Sequence, residues 1–250
     1  MKILLIDIET APNRGYFWGL FNQNISIDMI DKPGYILCWS AKWYGEKKVM
    51  FSSLWGDGKK KMLKKAYDLL EEADVVVHYN GINFDNRWFN AEFAKMGWTP
   101  PAPHQPIDLL LTTKRQFRLP SHKLEFALQY FGLGKKYKHD GWPMWEGCIT
   151  GDKYYQKEMQ KYNEQDVTEM EPLYVFLRPW IMNHPNHALY DSKGEYQCPN
   201  CGGTYLRKKG LRYTSVFTYQ RYKCNDCGAW SQERQNNMSK EEKAVVLKGI

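Results

Sequence analysis

Residues 2–10 read Lys2-Ile3-Leu4-Leu5-Ile6-Asp7-Ile8-Glu9-Thr10, an apolar run interrupted by two acids. A run of this kind is the pattern of a strand buried on both faces, so the segment is expected to be a central strand. Side chains alternate along a strand, which puts Asp7 and Glu9 on one face and Ile6 and Ile8 on the other. Like charges about 4 to 6 Å apart raise each other's pKa and destabilise a fold unless a cation or a shared proton compensates. A lone Asp-x-Glu also reads as a simple strand end, so the pair carries chemistry only in company.

The rest of the chain supplies a setting for that strand. Tyr35 to Tyr44 and Lys48 to Leu54, joined by Gly45-Glu46, read as a hairpin extending its sheet. Met62, Leu63, Ala66, Leu69, Leu70 and Ala73 follow helical spacing, and Val75-Val76-Val77 form the next strand, ended by Asn80-Gly81. A helix is expected over about Asn86 to Met96 and a short strand near Ile107 to Leu110. A further helix is expected from an N-cap at Ser121 to Phe131, and a long one from Gly151-Asp152 to Leu177. Lys135 to Gly151 reads as a basic, aromatic loop in which Trp142 and Trp145 either line a groove or pack over the last helix. The alternation of hairpin, strands and helices predicts an α/β fold with a mixed sheet flanked by helices.

The 250 residues are 43% hydrophobic, 15% aromatic and 25% charged, a globular composition that excludes disorder throughout. No stretch approaches the roughly 20 apolar residues that cross a bilayer, and Ile3 to Ile6 is too short for a signal-peptide core. The expectation is a cytoplasmic protein with no membrane partner. Ten Trp, 17 Tyr and 11 Phe beside a net charge of +7 suit a partner with π faces and phosphates.

Three further positions give Asp7 and Glu9 company. Asp85 follows the Val75-Val76-Val77 strand in Asn80-Gly81-Ile82-Asn83-Phe84-Asp85, where it reads either as a site carboxylate or as the cap of the next helix. Tyr162 and Asp166 are four apart on the last helix and so share a face, although a buried Tyr there also reads as plain packing. Asp108 is read as a strand end or local turn.

Leu5-Ile6-Asp7-Ile8-Glu9-Thr10, His78-Tyr79-Asn80-Gly81-Ile82-Asn83-Phe84-Asp85 and Tyr162-Asn163-Glu164-Gln165-Asp166-Val167 resemble, in order, the three exonuclease motifs of the DEDD superfamily. The look is that of the proofreading domain of family B DNA polymerases. A histidine branch would need His five residues before the last Asp, where Lys161 stands, so the resemblance is to the tyrosine branch. It implies a ribonuclease H-like domain over residues 1–183 that hydrolyses phosphodiesters from a 3' end; no polymerase domain fits in the remaining chain, so a stand-alone nuclease is expected. It also implies two Mg²⁺ or Mn²⁺ ions held by Asp7, Glu9, Asp85 and Asp166, with Tyr162 orienting the attacking water and Thr10, Asn80 and Phe84 touching the substrate end. For Phe84, core packing is an equal reading. The chemistry agrees: hard carboxylate oxygens suit these cations, and four negative charges match two divalent ions.

Cys198, Cys201, Cys224 and Cys227 form two Cys-x-x-Cys pairs separated by 22 residues, each followed by Gly. Paired knuckles at this spacing read as one structural Zn²⁺ in a small ribbon over residues 190–235, with 236–250 as a tail that either forms a helix or frays. Four thiolates leave no open coordination position, so this metal is assigned no catalysis. Cys38 and Cys148 read as buried thiols. Between Cys198 and Cys227 lie six Arg or Lys against one acid, Asp226, interleaved with Tyr205, Tyr213, Phe217, Tyr219 and Tyr222. That mixture suits nucleic-acid binding, the alternative being a structural or protein-docking ribbon.

The leading expectation is a metal-dependent 3'-5' exonuclease acting on single-stranded DNA, with replication or repair proteins as candidate partners. A nuclease of the same fold acting on RNA or junctions is the first alternative. A non-enzymatic nucleic-acid-binding adaptor is the second.

Overall fold

The protein is described from a computed structural model covering residues 1–134 and 139–249. Two compact units divide the chain, one spanning Lys2–Tyr174 and the other Val175 onward together with Met1. The first unit begins with β1 (Ile3–Ala11), followed by β2 (Arg14–Gly15), a 3₁₀ turn at Ile27–Met29 and β3 (Ile30–Lys32). Next come β4 (Tyr35–Trp43), β5 (Met50–Ser53), α1 (Leu54–Asp57), α2 (Lys59–Glu72), β6 (Val75–His78), α3 (Asp85–Lys95) and β7 (Gln105–Asp108). The remaining helices are α4 (Leu109–Gln116), α5 (Leu124–Tyr130), α6 (Trp142–Thr150) and α7 (Lys153–Leu177). The second unit holds the end of α7, the strands β8 (Leu206–Tyr213), β9 (Thr218–Cys224) and β10 (Trp230–Gln232), and α8 (Lys240–Val245).

The main sheet runs β5-β4-β1-β6-β7, antiparallel from β5 to β1 and parallel from β1 to β7. β1 is therefore central, as its apolar run predicts. Leu4, Ile6 and Ile8 pack with Met62, Leu63, Phe89 and Phe93 of α2 and α3. On the other face Leu37 and Cys38 pack with Met144 and Cys148 of α6 and with Met159 and Tyr162 of α7. Lys42 of β4 forms a nearly buried ion pair with Glu171 of α7, whose other oxygen accepts the Gly45 N–H at 3.0 Å. This second interaction satisfies a lone pair that burial would otherwise leave costly.

Several local expectations are corrected. The segment read as a basic loop contains α6, where Gly141 (φ +73°) precedes the first turn, Pro143 fits within it and Gly151 (φ +91°) ends it. Lys135 to Lys138 of that loop lie outside the described residues. Ser121 is not an N-cap: α5 starts at Leu124 after Lys123, and the Ser121 Oγ accepts the Lys123 N–H. α4 was not foreseen, and it starts because Asp108, the last residue of β7, accepts the N–H groups of Leu110 and Leu111. The tail does form a helix, α8, closed by a Ser239–Glu242 capping box. Among the described residues no helix is long and apolar enough to cross a membrane.

Between β2 and β3 the chain makes an excursion that exposes Tyr16, Phe17, Trp18, Leu20, Phe21 and Ile27. Residues 16–27 contain no charged side chain.

Ile6, 1% exposed at the centre of the sheet, reports the integrity of this arrangement. Ile6→Ala is expected to cost about 2–5 kcal/mol in urea denaturation. Leu111→Ala, at a residue 43% exposed on α4, is expected to change stability by less than about 0.5 kcal/mol.

Candidate active site

β1 places Asp7 and Glu9 on the side of the sheet that α6 and α7 cover, with Glu9 opposite Cys38 of β4. The ladder shifts register between Glu9 and Thr10, a bulge of the kind that re-aims side chains beside functional sites. α7 runs past this strand end and contributes Tyr162 and Asp166. One carboxylate oxygen from each of Asp7, Glu9 and Asp166 lies within 4.8 Å of the others. Asp166 lies more than 150 positions from the other two in the chain. Their oxygen-only donor set, at mutual distances that one ion can span, fits a hard divalent cation.

Asp85 stands beside the cluster and is 2% exposed. It does not cap α3: Phe84 holds that position and Asp85 begins the helix. Its Oδ1 accepts the Ile8 N–H at 3.1 Å. The parallel ladder between β1 and β6 ends at Leu5 and Val77, so Asp85 takes up an amide of β1 beyond the last strand pair. Burial pushes its carboxyl up to about 7, with the Asp108 charge adding to the rise while its own amide and that of Ile8 oppose it.

The same open cavity, about 400 Å³, is lined by Asp7, Glu9, Asp85, Tyr162 and Asp166, and also by Asn80 and Phe84. Phe84 is 39% exposed and its ring meets Trp88 edge-on, so it stands at the cavity and not in the core. Thr10, just past the bulge, is not among the lining residues. Two lining residues that sequence reasoning passed over are His122 and Lys123, which sit in the turn before α5. No motif marks them, and a basic turn residue is common on any surface.

Tyr162 is 5% exposed and ringed by His139 and Trp145, at centroid distances of 4.9 and 6.0 Å. Trp145 thus packs over α7, one of its two predicted placements. Burial first, then the charges of Glu9, Asp166 and Asp7, raise the Tyr162 phenol far above its ordinary range. It remains a neutral O–H group at any physiological pH.

Two supporting residues were missed. Asn163, fully buried next to Tyr162, donates from Nδ2 to Asp7 Oδ2 at 2.8 Å, which fixes one oxygen of that carboxylate. Its position inside the third motif was its only signal. Asp108, which does end its strand as predicted, also accepts the N–H groups of Asn80 at 3.0 Å and Ile82 at 3.3 Å, while His78 Nδ1 accepts that of Gly81 at 3.1 Å. Burial holds His78 down at about 4 and therefore neutral, so it can accept that hydrogen bond. Three consecutive amides of the turn before Asp85 are thereby pinned. Asn80 adopts φ +72° there, and a Cβ at Gly81 would lie 2.3 Å from the His78 ring.

In the second unit, Cys198 and Cys227 Sγ atoms are 3.6 Å apart and those of Cys201 and Cys224 3.7 Å apart. All four lie within 4.8 Å of one another. A disulfide needs about 2.05 Å, whereas thiolates about 2.3 Å from a tetrahedral Zn²⁺ stand roughly 3.8 Å apart, so the spacing fits zinc. Gly202 and Gly228 take φ +72° and +79° in the knuckle turns. Cys38 and Cys148 are buried and free, with the Cys148 thiol pushed up to about 12 by burial and by Glu9.

A mixed sheet flanked by helices, with acids gathered from its central strand and from a packed helix, defines a ribonuclease H-like protein. A family model described as the RNase_H superfamily matches residues 31–178, and the chain belongs to that superfamily. Among solved structures it is similar to the family B DNA polymerase from the archaeon Pyrobaculum calidifontis, with a TM-score of 0.54 and 16% identity. That likeness covers 71% of this chain and 24% of the polymerase chain. RNase D from Trypanosoma brucei also matches, with a TM-score of 0.45 and 16% identity over 69% of this chain and 56% of that one. No curated protein matches the chain.

The Asp85 carboxyl gives the metal-free site a pH signature. Between its ordinary 3.8 and about 7, the folded protein keeps a proton on Asp85 that the unfolded chain has released, so Asp85 contributes a stability that fades as pH rises through this window. Asp85→Asn has no such proton to lose. Urea titrations of metal-free protein are expected to show the variant gaining on the parent steadily from pH 4 to 7, with no further gain above.

Proposed function

We propose that the protein is a metal-dependent 3'-5' exonuclease acting on single-stranded DNA ends, with its zinc ribbon contributing to nucleic-acid binding. The observation that carries this reading is the convergence of Asp7, Glu9 and Asp166 from a strand and a distant helix onto one cavity. Bringing three carboxylates together is electrostatically costly and is explained by a cationic occupant. The order of the three motifs along the chain supports the polarity and the tyrosine-branch assignment.

In this mechanism Asp7, Glu9 and Asp166 would hold one divalent cation, and Asp85, directly or through water, would help hold a second. When bound, such a pair activates water at neutral pH and neutralises the charge that grows on the leaving oxygen. Asn163 keeps one Asp7 oxygen engaged and so holds the orientation of that carboxylate. Tyr162, held neutral and ringed by His139 and Trp145, would orient the attacking water through its hydroxyl oxygen and would not itself remove a proton. The turn pinned by Asp108 and His78 presents Asn80 and Phe84 to the terminal nucleotide. Lys123, at the cavity edge, is placed to meet a backbone phosphate. Phosphoryl transfer needs mainly positioning and charge stabilisation, so this division of labour is sufficient.

Asp166→Asn is expected to lose on the order of 10³-fold or more in rate while melting no lower than the parent, because carboxylate repulsion is relieved. The assay is Mn²⁺-dependent shortening of an oligonucleotide labelled at its 5' end, run against an EDTA control and a matched RNA. A ladder that shortens from the labelled end, or equal digestion by the variant, contradicts the proposal. Faster RNA digestion favours the RNA-directed form of the same enzyme.

A further inference from the structure

The three strands of the carboxy-terminal sheet differ sharply between their two faces. Arg207 stands opposite Lys223 and Arg212 opposite Tyr219 in the β8–β9 ladder, and Lys223 stands opposite Trp230 in the β9–β10 ladder. Residues directly opposite in an antiparallel pair share a face, and Arg221, two along from both Tyr219 and Lys223, joins them. The other face carries Leu206, Tyr222 and Cys224, of which Tyr222 and Cys224 are buried, and Leu206 packs against the cysteine knuckles. One face therefore closes the metal site. The alternate face holds four cations and two aromatic rings.

No residue of the three strands is acidic. The cations on the second face are steadied by neutral groups. Arg212 donates to Gln232 at 2.8 Å, Arg221 donates to the Lys209 carbonyl at 3.2 Å, and Arg221 and Lys223 lie 5.1 and 5.8 Å from the centroid of the Trp230 ring. Like charges gathered this closely repel, and neutral partners orient them without cancelling the charge. Their positive potential is left for an outside anion. Trp230 is 51% exposed, and an exposed ring among cations serves unpaired bases, whose faces are free, better than paired ones.

We propose that this face, formed by Arg207, Arg212, Tyr219, Arg221, Lys223 and Trp230, binds single-stranded DNA. Its cations meet the phosphates and its rings stack on the bases. The choice of partner rests on the exonuclease reading above, whereas the choice of face rests on strand register alone.

Lys223 and Lys208 give a matched test, because Lys208 lies opposite Tyr222 on the metal-closing face and the two carry the same charge. The full zinc-loaded chain is titrated, without added divalent cation, against a fluorescent oligothymidylate at several NaCl concentrations. Lys223→Gln is expected to weaken binding about three- to tenfold and to lower the slope of log affinity against log salt by about 0.7. Lys208→Gln is expected to change affinity less than twofold. Trp230→Ala is expected to weaken binding about tenfold with the slope unchanged. Zinc content equal to the parent's identifies a folded ribbon, and Trp230→Phe, expected to retain most of the affinity, replaces the alanine variant if zinc is lost.

Equal effects from the two lysine variants overturn the proposal. So does duplex DNA bound as tightly as the single strand, or polyglutamate competing as well as DNA. Normal digestion with indistinguishable lysine variants removes this face and leaves the exonuclease reading standing. Face-dependent DNA binding without any digestion removes the enzyme reading and leaves the face.

Discussion

Electrostatic repulsion among carboxylates is the constraint around which the first unit is organised. Asp7, Glu9 and Asp166 are held within a few ångströms of one another, a geometry that folding alone disfavours. It persists because each acid sits on a rigid element: two on the central strand of the main sheet, one on a 25-residue helix packed across it. The apolar contacts of Leu4, Ile6 and Ile8 on one face of β1 lock the strand, and the acids on its opposite face have no freedom to separate. Hydrophobic burial thus supplies the force that holds like charges together.

Buried acids in this unit meet two different fates. Asp108 accepts four backbone N–H groups and acts as a structural anchor for the turn that delivers Asp85. Asp85 has little beyond its own amide and that of Ile8, and burial lifts its carboxyl toward neutrality. The difference lies in donor count. Asp108, with four amides, is part of the scaffold, whereas Asp85, with two, lines the cavity.

The scaffold was legible wherever one local rule decided the outcome. The apolar run at Ile3 to Ile8 marked the central strand, Asn80-Gly81 marked the end of β6, and the knuckle spacing marked the sulfur cluster. Reading failed where a residue's role was set by distant chain. Asp108 became a cap and a turn anchor only because β7 pairs with β6 and brings it to residues 80–82. Asn163 is one polar residue among many on α7 until the helix crosses β1. α6 was mistaken for a loop because its aromatic residues and Pro143 resemble loop composition, while the pairing of Met144 with Cys148 on one helical side is a weak signal in nine residues. Lys123 and His122 carry no pattern at all, and only the cavity singles them out.

The central place of β1 bears on how the chain matures. It precedes both of its neighbours in the sequence, and its ladders close only after β4 and then β6, some seventy residues further on, have been made. Until then a sticky apolar segment lacks its mates. Pairings of such long sequence separation are slow to nucleate and leave early intermediates prone to association. The two acids that interrupt the run also break its continuity as a template for strand addition by other chains. In the newborn polypeptide, Asp7 and Glu9 therefore serve as gatekeepers before they have any pocket to line.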